Sequence, residues 1–167
     1  MNAWLVFDLD GTLVDSLPGI AEGLNRALLY VGRQPLAPQA VRGMIGRGAA
    51  NLCASALGYA DASLAPAADQ EALFRAFCRE YSRCWRGKGM STAFPGVDSM
   101  LARLVAAGAQ VAVLSNKPHD VTEPMVRELF PLFPLPRCWG IPGSSRASPT
   151  LPLCCILLSS GVFHPLS

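Results

Sequence analysis

The sequence lacks a charge bias. Fourteen lysines and arginines stand against twelve aspartates and glutamates, a net of +2. No basic face for nucleic acid or an anionic membrane is expected from that balance. There is no apolar run of bilayer length, which excludes an ordinary transmembrane helix. There is no unbroken apolar segment at the N-terminus either. Asp8 and Asp10 fall where a signal peptide would need one, which points to a cytoplasmic protein. No Cys-x-x-Cys pair occurs among the six cysteines, so reduced, mostly buried thiols are expected, with no metal site built on them. Charged residues are scarce, at 16% against 51% hydrophobic. That excludes intrinsic disorder, and 167 residues suffice for one domain with a real core, or one domain with a small insertion.

Other absences are local. No lysine follows Lys117, and no carboxylate side chain follows Glu128. From Pro131 to Ser167 the charged residues are Arg137 and Arg146, and seven of the fourteen prolines crowd in. Prolines this frequent exclude a helix or a central strand. Residues 131–167 are therefore set apart as an atypical tail, with no internal repeat or second-domain signature.

What is present reads as alternating strand and helix. Trp4 to Phe7 is a short apolar run ending in Asp8-Leu9-Asp10-Gly11-Thr12, a buried strand followed by a loop. Ile20, Leu24, Ala27, Leu28 and Val31 fall at helical spacing, with Gly32 as a stop. Short helices are expected over Gln39–Ile45 and Ala49–Leu57, on either side of Gly46-Arg47-Gly48. A longer one is expected over Asp69–Trp85, whose stripe of Leu73, Phe74, Phe77, Tyr81 and Trp85 is read as core packing. After Phe94-Pro95-Gly96 come a helix carrying Val97, Leu101 and Leu104, a strand over Val111–Leu114, and helix signals from His119 to Phe130. That order predicts an α/β fold: a parallel sheet with a helical insertion after its first strand. The polar clusters at Asp8 and Ser115 both sit just past the carboxyl end of a strand, where open α/β sheets bind ligands.

Two aspartates at i and i+2 can face one crevice if the chain curls there, and Gly11 permits the curl. Such a pair suits Mg²⁺, which takes few protein ligands and keeps waters and substrate phosphate. An ionised aspartate can attack phosphorus, and a second can move the proton. Ser115 offers a hydroxyl and nearby backbone N–H groups to a phosphoryl oxygen. An isolated Asp-x-Asp-Gly, however, is simply a polar turn.

The longer string Phe7-Asp8-Leu9-Asp10-Gly11-Thr12-Leu13-Val14-Asp15-Ser16 resembles the first motif of the haloacid dehalogenase-like hydrolases. Val111 to Pro118 resembles their second motif. Ser115-Asn116-Lys117-Pro118, Phe94-Pro95-Gly96-Val97 and Gly46-Arg47-Gly48-Ala49 are similar to the phosphoglycolate phosphatase branch. The resemblance spans residues 1 to about 130. It implies a Rossmann-like phosphatase core in residues 1–15 and 90–130, with a helical cap in 16–89. It further implies Asp8 as nucleophile and metal ligand, and Asp10 as general acid/base with its carbonyl on Mg²⁺. Ser115 and Asn116 would bind phosphate. The substrate implied is a small phosphorylated metabolite, 2-phosphoglycolate first among them. Arg47 in the cap is a candidate for a substrate carboxylate, although an exposed arginine on a solvated loop is the simpler reading. Lys117 is divided evenly between a surface and an active-site role. His119 and His164 are read as structural or exposed.

The family's third motif is a lysine, usually in Lys-Pro-x-Pro, and its fourth is an acidic Gly-Asp-x-x-x-Asp. Neither can be present in this chain. Read one base earlier, the codons of residues 138–153 are compatible with a string containing Lys-Pro-Asp-Pro. The hypothesis is a slip of reading frame between about Phe130 and Arg137, and the coding DNA decides it. A shifted frame without Lys-Pro-x-Pro ends the idea. On this reading the later parallel strands are missing and the sheet keeps an exposed edge, with the apolar run 151–158 available to cover it. Two functions stay open: a Mg²⁺-dependent phosphatase, and a non-catalytic fragment that keeps only the phosphate pocket.

Overall fold

The computed structural model describes residues 4–131 and 137–141. The first strand, β1 (Trp4–Phe7), runs parallel to β4 (Gln110–Pro118), with Leu5 opposite Val111 and Phe7 opposite Val113. Val111, Ala112 and Val113 are all buried. Consecutive burial means both faces of β4 are covered, the pattern of an interior parallel strand rather than of a half-exposed one. Helices α5 (Val97–Ala106) and α6 (His119–Leu129) pack on it.

Between β1 and α5 lies the helical insertion. It comprises α1 (Leu17–Tyr30), α2 (Pro38–Arg42), α3 (Ala49–Ala56) and α4 (Ala67–Cys84). α1 and α4 pack along each other. The expected stripe of α1 is buried at Ile20, Leu24, Ala27 and Leu28, and that of α4 at Leu73, Phe77 and Tyr81. One apolar cluster runs continuously from these helices to the sheet through Leu9, Leu13 and Val14. The chain leaves for the insertion through β2 (Val14–Asp15) and returns through β3 (Thr92–Ala93), which pair antiparallel. Two-residue strands carry no periodicity, and none was expected here.

The structure corrects the sequence reading of the sheet twice. The strand expected to end at Leu114 continues to Pro118, because β5 (Arg137–Ile141) pairs alongside it with an irregularity between Ser115 and Pro118. β5 also corrects the expectation that no later parallel strand follows, since it extends the sheet in the order β1-β4-β5. It fits between Pro136 and Pro142, a proline-free interval in a proline-rich segment. β1 and β5 are the two edge strands of the described sheet, each paired to β4 alone, and Val6 on β1 is 43% exposed. The run 151–158 and His164 lie outside the described residues. Among the described residues no helix is long and apolar enough to cross a membrane, and Cys53, Cys78 and Cys84 are not joined in disulfides.

Candidate active site

The site forms where β1 and β4 end. After Phe7 the chain curls: the N–H groups of Thr12, Leu13 and Val14 all donate to the carbonyl of Leu9, at 3.3, 3.0 and 3.0 Å. Gly11 sits in this curl at φ +79°, a conformation that L side chains rarely adopt. These bonds leave the carbonyl of Asp10 out. Asp8 and Asp10 thereby reach one cavity of about 120 Å³, together with Ser115, Asn116 and Lys117 from β4. The insertion supplies the opposite wall, including Gly46, Gly48, Phe77, Cys78 and Tyr81. The volume suits a small substrate rather than the roughly 300–1,000 Å³ of drug-sized sites.

Asp8 is open to solvent on one side. Burial of the rest raises its carboxyl above the ordinary range. The N–H of Leu9 opposes that shift, Asp10 adds to it, and the field of Lys117 opposes it more weakly. Asp10 is more enclosed. Its Oδ1 accepts from the Ser16 hydroxyl and lies 2.8 Å from Lys117 Nζ. Ser16 occupies the N-cap position of α1 but makes no cap. It forgoes a bond usually worth ~0.5–2 kcal/mol to a helix and gives its proton to the site instead.

Ser115 is buried, and its Oγ accepts from the backbone N–H of Lys117 at 3.2 Å. That leaves the hydroxyl proton to donate elsewhere. Asn116 is exposed and donates to the carbonyl of Gly46 at 3.0 Å, so this polar strand end touches the insertion. Arg47 is exposed and does not line the cavity; its guanidinium reaches Ser55 at 3.5 Å. His119 is partly exposed and lies 3.6 Å from Glu123.

Lys117 resolves toward the site: its side chain is 4% exposed and points at Asp10. Burial pulls its ammonium below the ordinary lysine range, against the opposing pull of Asp10 and the weaker one of Asp8. Two neighbours were missed. Tyr81 was read as core alone, yet a buried tyrosine needs a partner for its hydroxyl, and that requirement was visible at sequence level. Asp120, in the first turn of α6, also lines the cavity; no spacing signalled it.

Whether these donors fit Mg²⁺ is a question of chemistry. Asp8 contributes a solvent-facing carboxylate, and Asp10 a carbonyl left out of the loop's hydrogen bonds. Both are hard oxygens, and Mg²⁺ takes one or two carboxylates plus waters and substrate phosphate. Among the described residues no group of three or more acidic, histidine or cysteine side chains gathers around a cation position. The residues present thus offer Mg²⁺ two hard oxygen donors, one carboxylate and one carbonyl.

The family profile of haloacid dehalogenase-like hydrolases matches residues 3–137. The chain is 38% identical over 122 residues to a plasmid-borne phosphoglycolate phosphatase of Cupriavidus necator, covering 73% of this chain and 51% of that protein. It is 35% identical over 130 residues to a phosphoglycolate phosphatase of Pseudomonas putida, covering 75% and 45%. The chain thus spans about half the length of the curated relatives it matches. A solved structure from Lactobacillus delbrueckii superposes with a TM-score of 0.73 at 23% identity, covering 83% of this chain and 64% of that one, a likeness of fold. One from Haemophilus somnus, described as a predicted phosphoglycolate phosphatase, superposes at 0.67 with 27% identity, covering 83% and 62%. By its motifs, its fold and the profile it matches, the chain belongs to the haloacid dehalogenase-like hydrolase family.

Proposed function

We propose that this chain carries the site of a phosphatase for small phosphorylated metabolites, with 2-phosphoglycolate as substrate. The observation that supports it is the meeting of Asp8, Asp10 and the Ser115 hydroxyl in one small cavity. The relatives named as phosphoglycolate phosphatases support the choice of ester. Asp8 attacks phosphorus, a bond forms between its carboxylate oxygen and the phosphoryl group, and the alkoxide leaves. Asp10 protonates that leaving oxygen, then takes a proton from the water that hydrolyses the aspartyl-phosphate. The Ser115 hydroxyl and Asn116 hold phosphoryl oxygens. Mg²⁺, on the Asp8 carboxylate and the Asp10 carbonyl, would supply charge neutralisation to the phosphoryl group. Residues 16–89 serve as the cap that covers the substrate.

A second reading is a non-catalytic phosphate binder. The composition favours it, because no lysine follows Lys117 and no carboxylate follows Glu128 to complete the family's third and fourth motifs. One assay separates the two readings: phosphate release from 2-phosphoglycolate with Mg²⁺, comparing the chain with its Asp8→Asn variant. The phosphatase reading expects a loss of at least about 100-fold, the scale of removing a catalytic group. Equal rates would exclude it.

A further inference from the structure

A lysine ammonium taken out of water must find compensation on several sides. Lys117 finds it from two different parts of the chain. Its Nζ lies 2.8 Å from Asp10 Oδ1, on the loop after β1. It also donates to the Tyr81 hydroxyl, on α4 of the insertion, at 2.5 Å. The same ammonium stands 4.7 Å from the centre of the Tyr81 ring, whose face attracts a cation. That ring stacks on Phe77 at 5.5 Å, so its position is fixed by the packing of α4. Met125 Sδ lies 3.8 Å from it. Lys117 is also the one cationic side chain lining the cavity among the described residues.

The consequence falls on Asp10. Among the described residues, both donors to its carboxylate, Ser16 and Lys117, go to Oδ1. Two donors on one oxygen fix the rotation of the group and leave the second oxygen for proton transfer. One of those donors is itself held by the insertion. Asn116 to Gly46 makes a second bridge of the same kind beside it. We propose that Lys117 and Tyr81 are positioning residues that tie the seating of the helical insertion to the orientation of Asp10, so that the carboxylate is set for proton transfer only when α4 lies against the end of β4. This rests on the acid/base role proposed for Asp10.

The test is a double-mutant cycle on the whole chain, read in two ways. Tyr81→Phe removes the hydroxyl and keeps the ring; Lys117→Met removes the link. With Mg²⁺ and 2-phosphoglycolate, Tyr81→Phe should lower kcat about tenfold, the scale of one hydrogen bond to a charged group, with little change in KM. Lys117→Met should lower kcat further, and adding Tyr81→Phe to it should cost nothing more. Amide hydrogen exchange gives the second reading, independent of turnover. Tyr81→Phe should speed exchange both in α4 around residue 81 and at the end of β4. Losses that multiply in the double variant, or unchanged exchange at β4, would overturn the tie. If Lys117→Met does not melt cooperatively, Tyr81→Phe alone decides, by its kcat and its exchange at β4. Should the unaltered chain release no phosphate, the proposed function fails, while hydrogen exchange still judges the link.

Discussion

In the helical insertion, α1 and α4 turn their apolar stripes toward each other, and Leu24, Ala27 and Leu73 are sealed from solvent completely. In the sheet, β4 is covered on both faces, while β1 keeps an open edge and α5 shows Met100 and Val105 at its surface. Both regions draw on the same kinds of residue. They differ in where their requirements can be met. A helix satisfies its backbone hydrogen bonds within itself and asks only for a facing stripe. A strand leaves its N–H and C=O groups to a neighbour. Four successive helices can therefore close on one another, while the completeness of a sheet depends on residues far along the chain. The site lies on the seam between the two, where the ends of β1 and β4 meet the wall formed by α4 and the Gly46–Gly48 loop.

The largest test of that contrast is a pair of truncations. Leu73→Ala empties a fully buried position between helices and should lower the free energy of unfolding by ~2–5 kcal/mol. Val105→Ala, at a position 39% exposed on α5, should stay within ~0.5 kcal/mol. Urea unfolding measures both, and equal losses would break the comparison. The join between α1 and the chain returning to β3 is probed by Gly19→Ala. A Cβ at residue 19 would lie 2.7 Å from the carbonyl oxygen of Met90, the same oxygen that accepts the Gly19 N–H at 2.8 Å. Alanine gains about 1 kcal/mol over glycine in a helix, but overpacking against backbone costs ~1–3 kcal/mol. The clash is with a carbonyl that cannot rotate aside, so a net loss on the order of 1 kcal/mol is expected. A stability gain would show that the returning chain is free to move away from α1.

The same contrast explains what was legible in the sequence. The helices were readable within a few residues because their period is local: α3 was expected over Ala49–Leu57 and spans Ala49–Ala56. Asp8, Asp10 and Ser115 stood out because each closely follows an apolar run of sequence, and the structure brings all three to one cavity. β5 was hidden because its pairing depends on β4, and a proline count over the whole tail masks a five-residue interval without one. Tyr81 was legible only in part, for a different reason. Its ring belongs to the core of α4 and its hydroxyl to the site, and a periodicity argument sees only the ring. Lys117 could not be settled from the string either, since its burial is decided by where α4 lies.

The smallest expected effect is the most discriminating about the sheet side of the seam. Burial is the leading influence on Asp8 and raises its carboxyl, the Leu9 N–H opposes it, Asp10 adds to the rise, and Lys117 opposes it last. A carboxyl raised on folding makes the native state bind more protons than the unfolded chain between the two titrations. Stability from this group is then present at acid pH and falls as pH rises from about 4 through the native value. At neutral pH the ionised carboxylate is a net burden on the fold. Asp8→Asn removes that burden. Because the side chain is open to solvent, the gain is screened to a few tenths of a kcal/mol, a rise of about 1–2 °C in Tm at pH 7. The difference between variant and unaltered chain should shrink as pH is lowered to 4. Thermal melts of both proteins at the two pH values check it. An Asp8→Asn chain that melts lower at pH 7 would mean that Lys117 and the Leu9 N–H outweigh burial, and that the strand end is built to hold the charge rather than to expose it.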